Sequence, residues 1–109
     1  MSASTRPIKE KKVKDVVKKL LNVYGCYYFM PVQSGYGSAA LDFICCHKGR
    51  FLSVETKAPG KHASPRQELI ISNINDAGGT TIVIGESYHE TSKTFSGMAE
   101  LERWLQLAP

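Results

Sequence analysis

The chain has 109 residues, 42% of them hydrophobic and 22% charged, and a formal net charge of +4. This length allows one domain with a modest core that buries roughly two thirds of the unfolded surface, and the composition excludes collagen-like, mucin-like and wholly disordered classes. Residues 1–66 hold 12 of the 14 Lys and Arg but 4 of the 10 acids, a balance of +8, against −4 for residues 67–109, which suggests that the first half faces a polyanion.

Residues 1–7 read as a loose tail to a single domain spanning 1–109. From 8 to 24 the apolar positions Val13, Val16, Val17, Leu20, Leu21 and Tyr24 recur at helical spacing, so an amphipathic helix is expected, with Lys11, Lys12, Lys14, Lys18 and Lys19 on its polar face. Glu10 lies three residues before Val13 and seven before Val17, which places it beside the buried stripe. Gly25 ends the helix. Residues 26–32 (CYYFMPV) read as a strand whose aromatic residues are mostly core, and 33–40 (QSGYGSAA) as a mobile loop carrying Tyr36.

Residues 41–47 and 50–57 read as two strands of a hairpin turning at Lys48-Gly49. After a basic loop over 58–63, Ser64-Pro65-Arg66-Gln67 has the form of a helix start, with Ser64 as N-cap, Pro65 at the first position and Gln67 closing a capping box. Ile70, Ile71 and Ile74 form the apolar side of that helix, and Gly78-Gly79 ends it. Residues 80–85 (TTIVIG) read as a central strand. Ser96 is expected to cap a last helix that packs through Met98, Leu101, Trp104, Leu105 and Leu107. The expected class is α/β, a mixed sheet flanked by helices in the order α-β-β-β-α-β-α.

No apolar run approaches the ~18 residues of a membrane span, and the first eight residues lack the apolar stretch of a secretory signal. Three cysteines, two of them adjacent at 45 and 46, form no disulfide framework, so a reducing cytoplasmic compartment is expected. Cys26, Cys45, Cys46 and His47 converge poorly for zinc, because neighbouring strand residues face opposite ways; buried free thiols are the simpler reading.

The chemistry concentrates in the hairpin. Glu55 and Lys57 are two apart on one strand and share a face. With a two- or four-residue loop, Asp42 lies opposite Glu55 on that face, and facing carboxylates repel. Lys57 relieves part of the repulsion, and a Mg²⁺ or Mn²⁺ ion held by Asp42, Glu55 and the Thr56 carbonyl would relieve the rest. An exposed salt-bridge cluster is the competing explanation; against it, Asp42 is set among Leu41, Phe43 and Ile44, and Glu55 follows Phe51, Leu52 and Val54.

Asp42, then Glu55-Thr56-Lys57, then Ser64-Pro65-Arg66-Gln67 resemble the PD-(D/E)XK nuclease core and, within it, the VRR-Nuc family, over about residues 8–86. One departure is Leu41, where the family usually has Pro before the Asp. The resemblance implies a restriction-endonuclease-like fold and Mg²⁺- or Mn²⁺-dependent hydrolysis of DNA phosphodiester bonds, with no organic cofactor. It implies Asp42 and Glu55 as metal ligands with the Thr56 carbonyl, Lys57 on the attacking water and the phosphate, Gln67 beside the same centre, and Glu10 approaching the metal from the first helix. Stand-alone relatives are typical of phages and some bacteria. They imply a homodimer, a preference for branched DNA such as four-way junctions, and a bacterial or phage-infected host cytoplasm.

Alternatives stay open at several positions. Gln67 also serves the capping box, and Glu10 also pairs with Lys14 at i+4. Lys61, His62, Ser64, Arg66, Lys11, Lys14 and Tyr36 are candidate nucleic-acid contacts, against a solvated face and loop. A non-catalytic nucleic-acid-binding module on the same fold is the main alternative function. A small interaction protein with an incidental acidic cluster is the third.

Overall fold

The computed structural model describes residues 7–32 and 39–107. Residues 1–6 of the expected tail and 33–38 of the expected loop, with Tyr36, lie outside them. The chain forms an α/β domain with a mixed sheet and three helices, in the order α1 (Glu10–Val23), β1 (Tyr27–Phe29), β2 (Phe43–His47), β3 (Arg50–Thr56), α2 (Pro65–Asp76), β4 (Thr80–Ile84), β5 (Tyr88–His89), β6 (Thr94–Phe95) and α3 (Met98–Gln106).

The main sheet has the order β1-β2-β3-β4. β1, β2 and β3 run antiparallel in succession, and β4 joins β3 in parallel after α2 makes the crossover. β3 is therefore an inner strand, paired on both edges. The hairpin turn is the two-residue one: His47 pairs with Arg50, and Lys48 and Gly49 both take left-handed φ values of 54° and 77°, the conformation that matches strand twist.

Alternation along the strands sorts the two sheet faces. Phe43, Cys45, Leu52, Val54, Ile82 and Ile84 form one face and pack in the core with Val13, Val17 and Leu21 of α1 and Leu101, Trp104 and Leu105 of α3. Val13, Val17 and Leu21 follow i, i+4, i+8 and so stack on one side of α1. At the turn end, Arg50 lies over the Trp104 ring at 4.1 Å and donates to the Trp104 carbonyl at 2.8 Å. On the opposite face α2 packs beside β4, and none of its residues is fully buried.

Four expectations need correction. The first strand is three residues long, and Tyr27 and Phe29 are 67% and 53% exposed rather than core, because β1 is an edge strand and the helices cover the other face. Ser96 does not cap the last helix: its hydroxyl accepts from the Ser87 amide, and Gly97 occupies the cap position. Ser87 and Ser96 instead flank the β5–β6 hairpin, two short strands that were not expected. Cys46 is exposed, unlike Cys26 and Cys45.

Burial pushes the Cys45 thiol up to about 12 and also raises Cys26. In the native protein one thiol, Cys46, should react quickly with a chromogenic disulfide reagent. The other two should react only on unfolding, and three fast thiols in native buffer would contradict this packing.

Candidate functional site

The candidate residues meet where β3 ends. Glu55 lies on the inner strand, paired in register with Val83 of β4, and is 3% exposed. A carboxylate at such a position needs partners. Lys57, two residues on, brings its ammonium to 3.4 Å from Glu55 Oε2, so the expected shared face holds. Gln67 donates to the same oxygen at 2.9 Å.

Gln67 closes the expected capping box and also reaches Glu55. Its side-chain oxygen accepts from the Ser64 amide at 2.9 Å, and its backbone amide donates to Ser64 Oγ at 3.2 Å. With the carboxamide oxygen committed to the cap, its NH₂ is turned toward Glu55. The start of α2 thus orients a hydrogen-bond donor onto a buried acid.

Asp42 takes a different place from the one expected. The ladder has the expected register but its last pair is Phe43 with Val54, so Asp42 lies beyond it. Its Oδ2 accepts from the Thr56 amide at 2.9 Å and from the Thr56 hydroxyl at 2.7 Å. Thr56 alternates with Glu55, so Asp42 reaches the end of β3 from the α1 side, while Glu55 faces α2. The two carboxylates still act on one another. Burial first, and the charge of Asp42 second, raise the Glu55 pKa to about 7; Lys57 opposes this and Glu10 adds to it.

Glu10 and Lys14 complete the cluster from α1. The Lys14 ammonium donates to Glu10 Oε2, to Thr56 Oγ1 at 3.0 Å and to Asp42 Oδ2 at 3.4 Å. Burial disfavours its charge, but the hydrogen bond to Glu10 and the charges of Asp42 and Glu10 outweigh that and raise its pKa. Lys14 thus turns into this cluster rather than outward from the polar face of α1, where it was expected. Its spacing already pointed inward: 14, 17 and 21 follow i, i+3, i+7, so Lys14 shares a stripe with Val17 and Leu21.

The other candidates surround this centre without entering it. Lys11 is exposed and pairs with Asp15 at 3.1 Å. His62 Nδ1 lies 2.8 Å from Glu86, a partner that sequence spacing gave no means of finding. Lys61 and Arg66 are exposed, and the Ser64 hydroxyl is engaged in the cap. The loop carrying Lys61 and His62 is tied to the end of β4 by Gly60, whose amide donates to the Glu86 carbonyl at 2.8 Å. Among the described residues no three His, Cys, Asp or Glu side chains form a cluster able to hold a metal.

Gly85 sets the position of Lys57. Its φ is +105°, and a Cβ there would stand 2.0 Å from the Lys57 carbonyl oxygen and 2.9 Å from Val13. The Lys57 amide donates to the Ile84 carbonyl at 2.8 Å, so β4 and the end of β3 approach closely only because residue 85 lacks a side chain.

Comparison with models of protein families, with curated proteins and with solved structures finds no match to this chain.

Two outcomes follow. Gly85→Ala combines backbone strain with a clash against main chain, and should cost about 3 kcal/mol or more in urea unfolding. Glu55 binds its proton more tightly in the folded state than in the unfolded state. Stability therefore falls as pH rises from about 4.5 to about 7, and the penalty is complete above that window. In EDTA, Glu55→Gln should be more stable than wild type at pH 8.5, by on the order of 2–3 kcal/mol, with the difference vanishing near pH 4. Parallel pH profiles would assign the titration to another group.

Proposed function

We propose that the protein is a divalent-cation-dependent endonuclease that hydrolyses phosphodiester bonds in DNA, on a restriction-endonuclease-like fold of the VRR-Nuc type. The observation that carries this reading is Glu55, an acid 3% exposed on an inner strand, held by Lys57 and Gln67 and raised in pKa first by its burial and then by a second acid, Asp42. A buried acid perturbed in this way, with other acids close by, is more characteristic of reaction centres than of surface ion pairs.

The donor set suits a hard cation, Mg²⁺ or Mn²⁺: carboxylate oxygens without soft ligands. A cationic group, the Lys14 ammonium, already stands beside Asp42 and Glu10. Asp42 and Glu55 lie on opposite sides of β3, so to hold one ion with the Thr56 carbonyl their carboxylates would have to turn toward each other around the end of that strand, and Glu10 would support the ion from α1. Such an ion lowers the pKa of a bound water and shields the charge that develops on the phosphate. Lys57 would orient the attacking water and stabilise phosphate charge. Gln67 would fix the Glu55 carboxylate through its hydrogen bond. Lys61, His62 and Arg66 would receive DNA beside this centre, with Lys11 further out on α1. A homodimer and a preference for branched DNA belong to the same proposal, since one domain supplies one centre and paired cuts require two.

A second reading, a non-catalytic nucleic-acid-binding module, draws support from Lys14, which supplies Asp42 and Glu10 with a counter-charge that needs no metal. One assay separates the two. Labelled linear duplex, flap and four-way junction are incubated with Mg²⁺, Mn²⁺ or EDTA, beside Lys57→Ala. Cleavage should require the cation and fall at least about 10²-fold in the variant, which still binds DNA. Binding without cation-dependent cleavage selects the module, and equal cleavage by both proteins refutes the assignment of Lys57.

A further inference from the structure

We propose that Lys14 is a built-in counter-ion: its ammonium holds the cation position beside Asp42 in the metal-free protein and is exchanged when a divalent ion binds. This rests on the metal-dependent reading above and adds a control on that site.

Lys14 differs from its neighbours on α1. Lys11 is 84% exposed and pairs with Asp15, and Lys18 pairs with Asp15 as well. The Lys14 side chain is 25% exposed and meets three oxygens from three parts of the chain: Glu10 on α1, Asp42 before β2 and Thr56 at the end of β3. An ammonium has three N–H donors, and all three have a partner here. Lys14 lies 28 positions from Asp42 and 42 from Thr56, so the cluster is assembled by the fold and not by the helix alone.

The chemistry favours exchange over a permanent bond. Lys14 carries one charge on a flexible four-carbon stem, without the planar fork that fixes an arginine to a carboxylate. A divalent ion brings twice the charge to the same oxygens. Meanwhile Asp42 keeps its two bonds from Thr56, so the carboxylate stays in place when the ammonium leaves. A ligand that must displace a resident group binds with its affinity reduced by the fraction of molecules in the open state. Lys14 therefore weakens cation binding and keeps the metal-free fold free of uncompensated acids.

The test is Mn²⁺ titration calorimetry on wild type, Lys14→Met and Lys14→Gln, with thermal melts of each in EDTA and in Mn²⁺. Lys19→Met, an exposed lysine on the same helix, controls for general charge. Both Lys14 variants should bind Mn²⁺ about tenfold more tightly than wild type. Their melting temperatures should fall in EDTA and recover in Mn²⁺, while Lys19→Met changes affinity less than about twofold. Equal or weaker binding by the Lys14 variants overturns this proposal alone, as does an equal gain in Lys19→Met. No Mn²⁺ binding by any of the four proteins overturns the metal-dependent reading and this proposal with it. Lys14→Gln keeps a hydrogen-bond donor, so the comparison survives if Lys14→Met does not fold.

Discussion

Glu55 places a carboxyl group where a sheet ordinarily keeps apolar side chains, and the surroundings of β3 are arranged to make that tolerable. A buried charge without partners is among the costliest features a small domain can hold. Lys57 and Gln67 reach the same oxygen of Glu55, and Gln67 is aimed by the hydrogen bonds that start α2. The capping of a helix and the solvation of a buried acid are thus one structure. Weakening the cap would loosen Glu55, and moving Glu55 would leave the cap's carboxamide without a partner on its donor side.

On the other side of β3 a second compensation operates. Thr56 offers its amide and hydroxyl to Asp42, and Lys14 joins Asp42 to Glu10. The alternation of a single strand therefore separates two acid-and-ammonium groups, one toward α2 and one toward α1. They remain coupled through the field of Asp42 and Glu10 at Glu55. An activity that needs both acids on one ion would draw on that coupling.

Much of this was legible in the sequence. The hairpin register followed from parity and a two-residue turn, and the shared face of Glu55 and Lys57 from the period of a strand. The capping box followed from the spacing of Ser64 and Gln67. Local rules govern all three, whereas the approach of Gln67 to the site was implied by the family resemblance alone. Asp42 departed from expectation because the ladder stops one residue short of it, and its side chain then satisfies a backbone amide instead of pairing across the strands. Tyr27 and Phe29 read as core because aromatic strand residues usually are, but coverage of a sheet face depends on where distant helices dock. The partnership of His62 with Glu86 spans 24 positions and has no local signature. Lys14 is the instructive case: its stripe was visible, but a lysine beside other lysines reads as solvated until a fold supplies acids for it.

The one tryptophan of the chain sits at the opposite end of β3, under Arg50 and 6.1 Å from the His47 ring. Five residue steps of extended strand lead from Arg50 to Glu55, a span of about 16 Å. The indole therefore senses the seating of the C-terminal helix and little of the ionic chemistry at the far tip. Nature has given the molecule an optical gauge of its folding that is insulated from its charged end, so loss of structure and loss of chemistry register as separate events in the same sample.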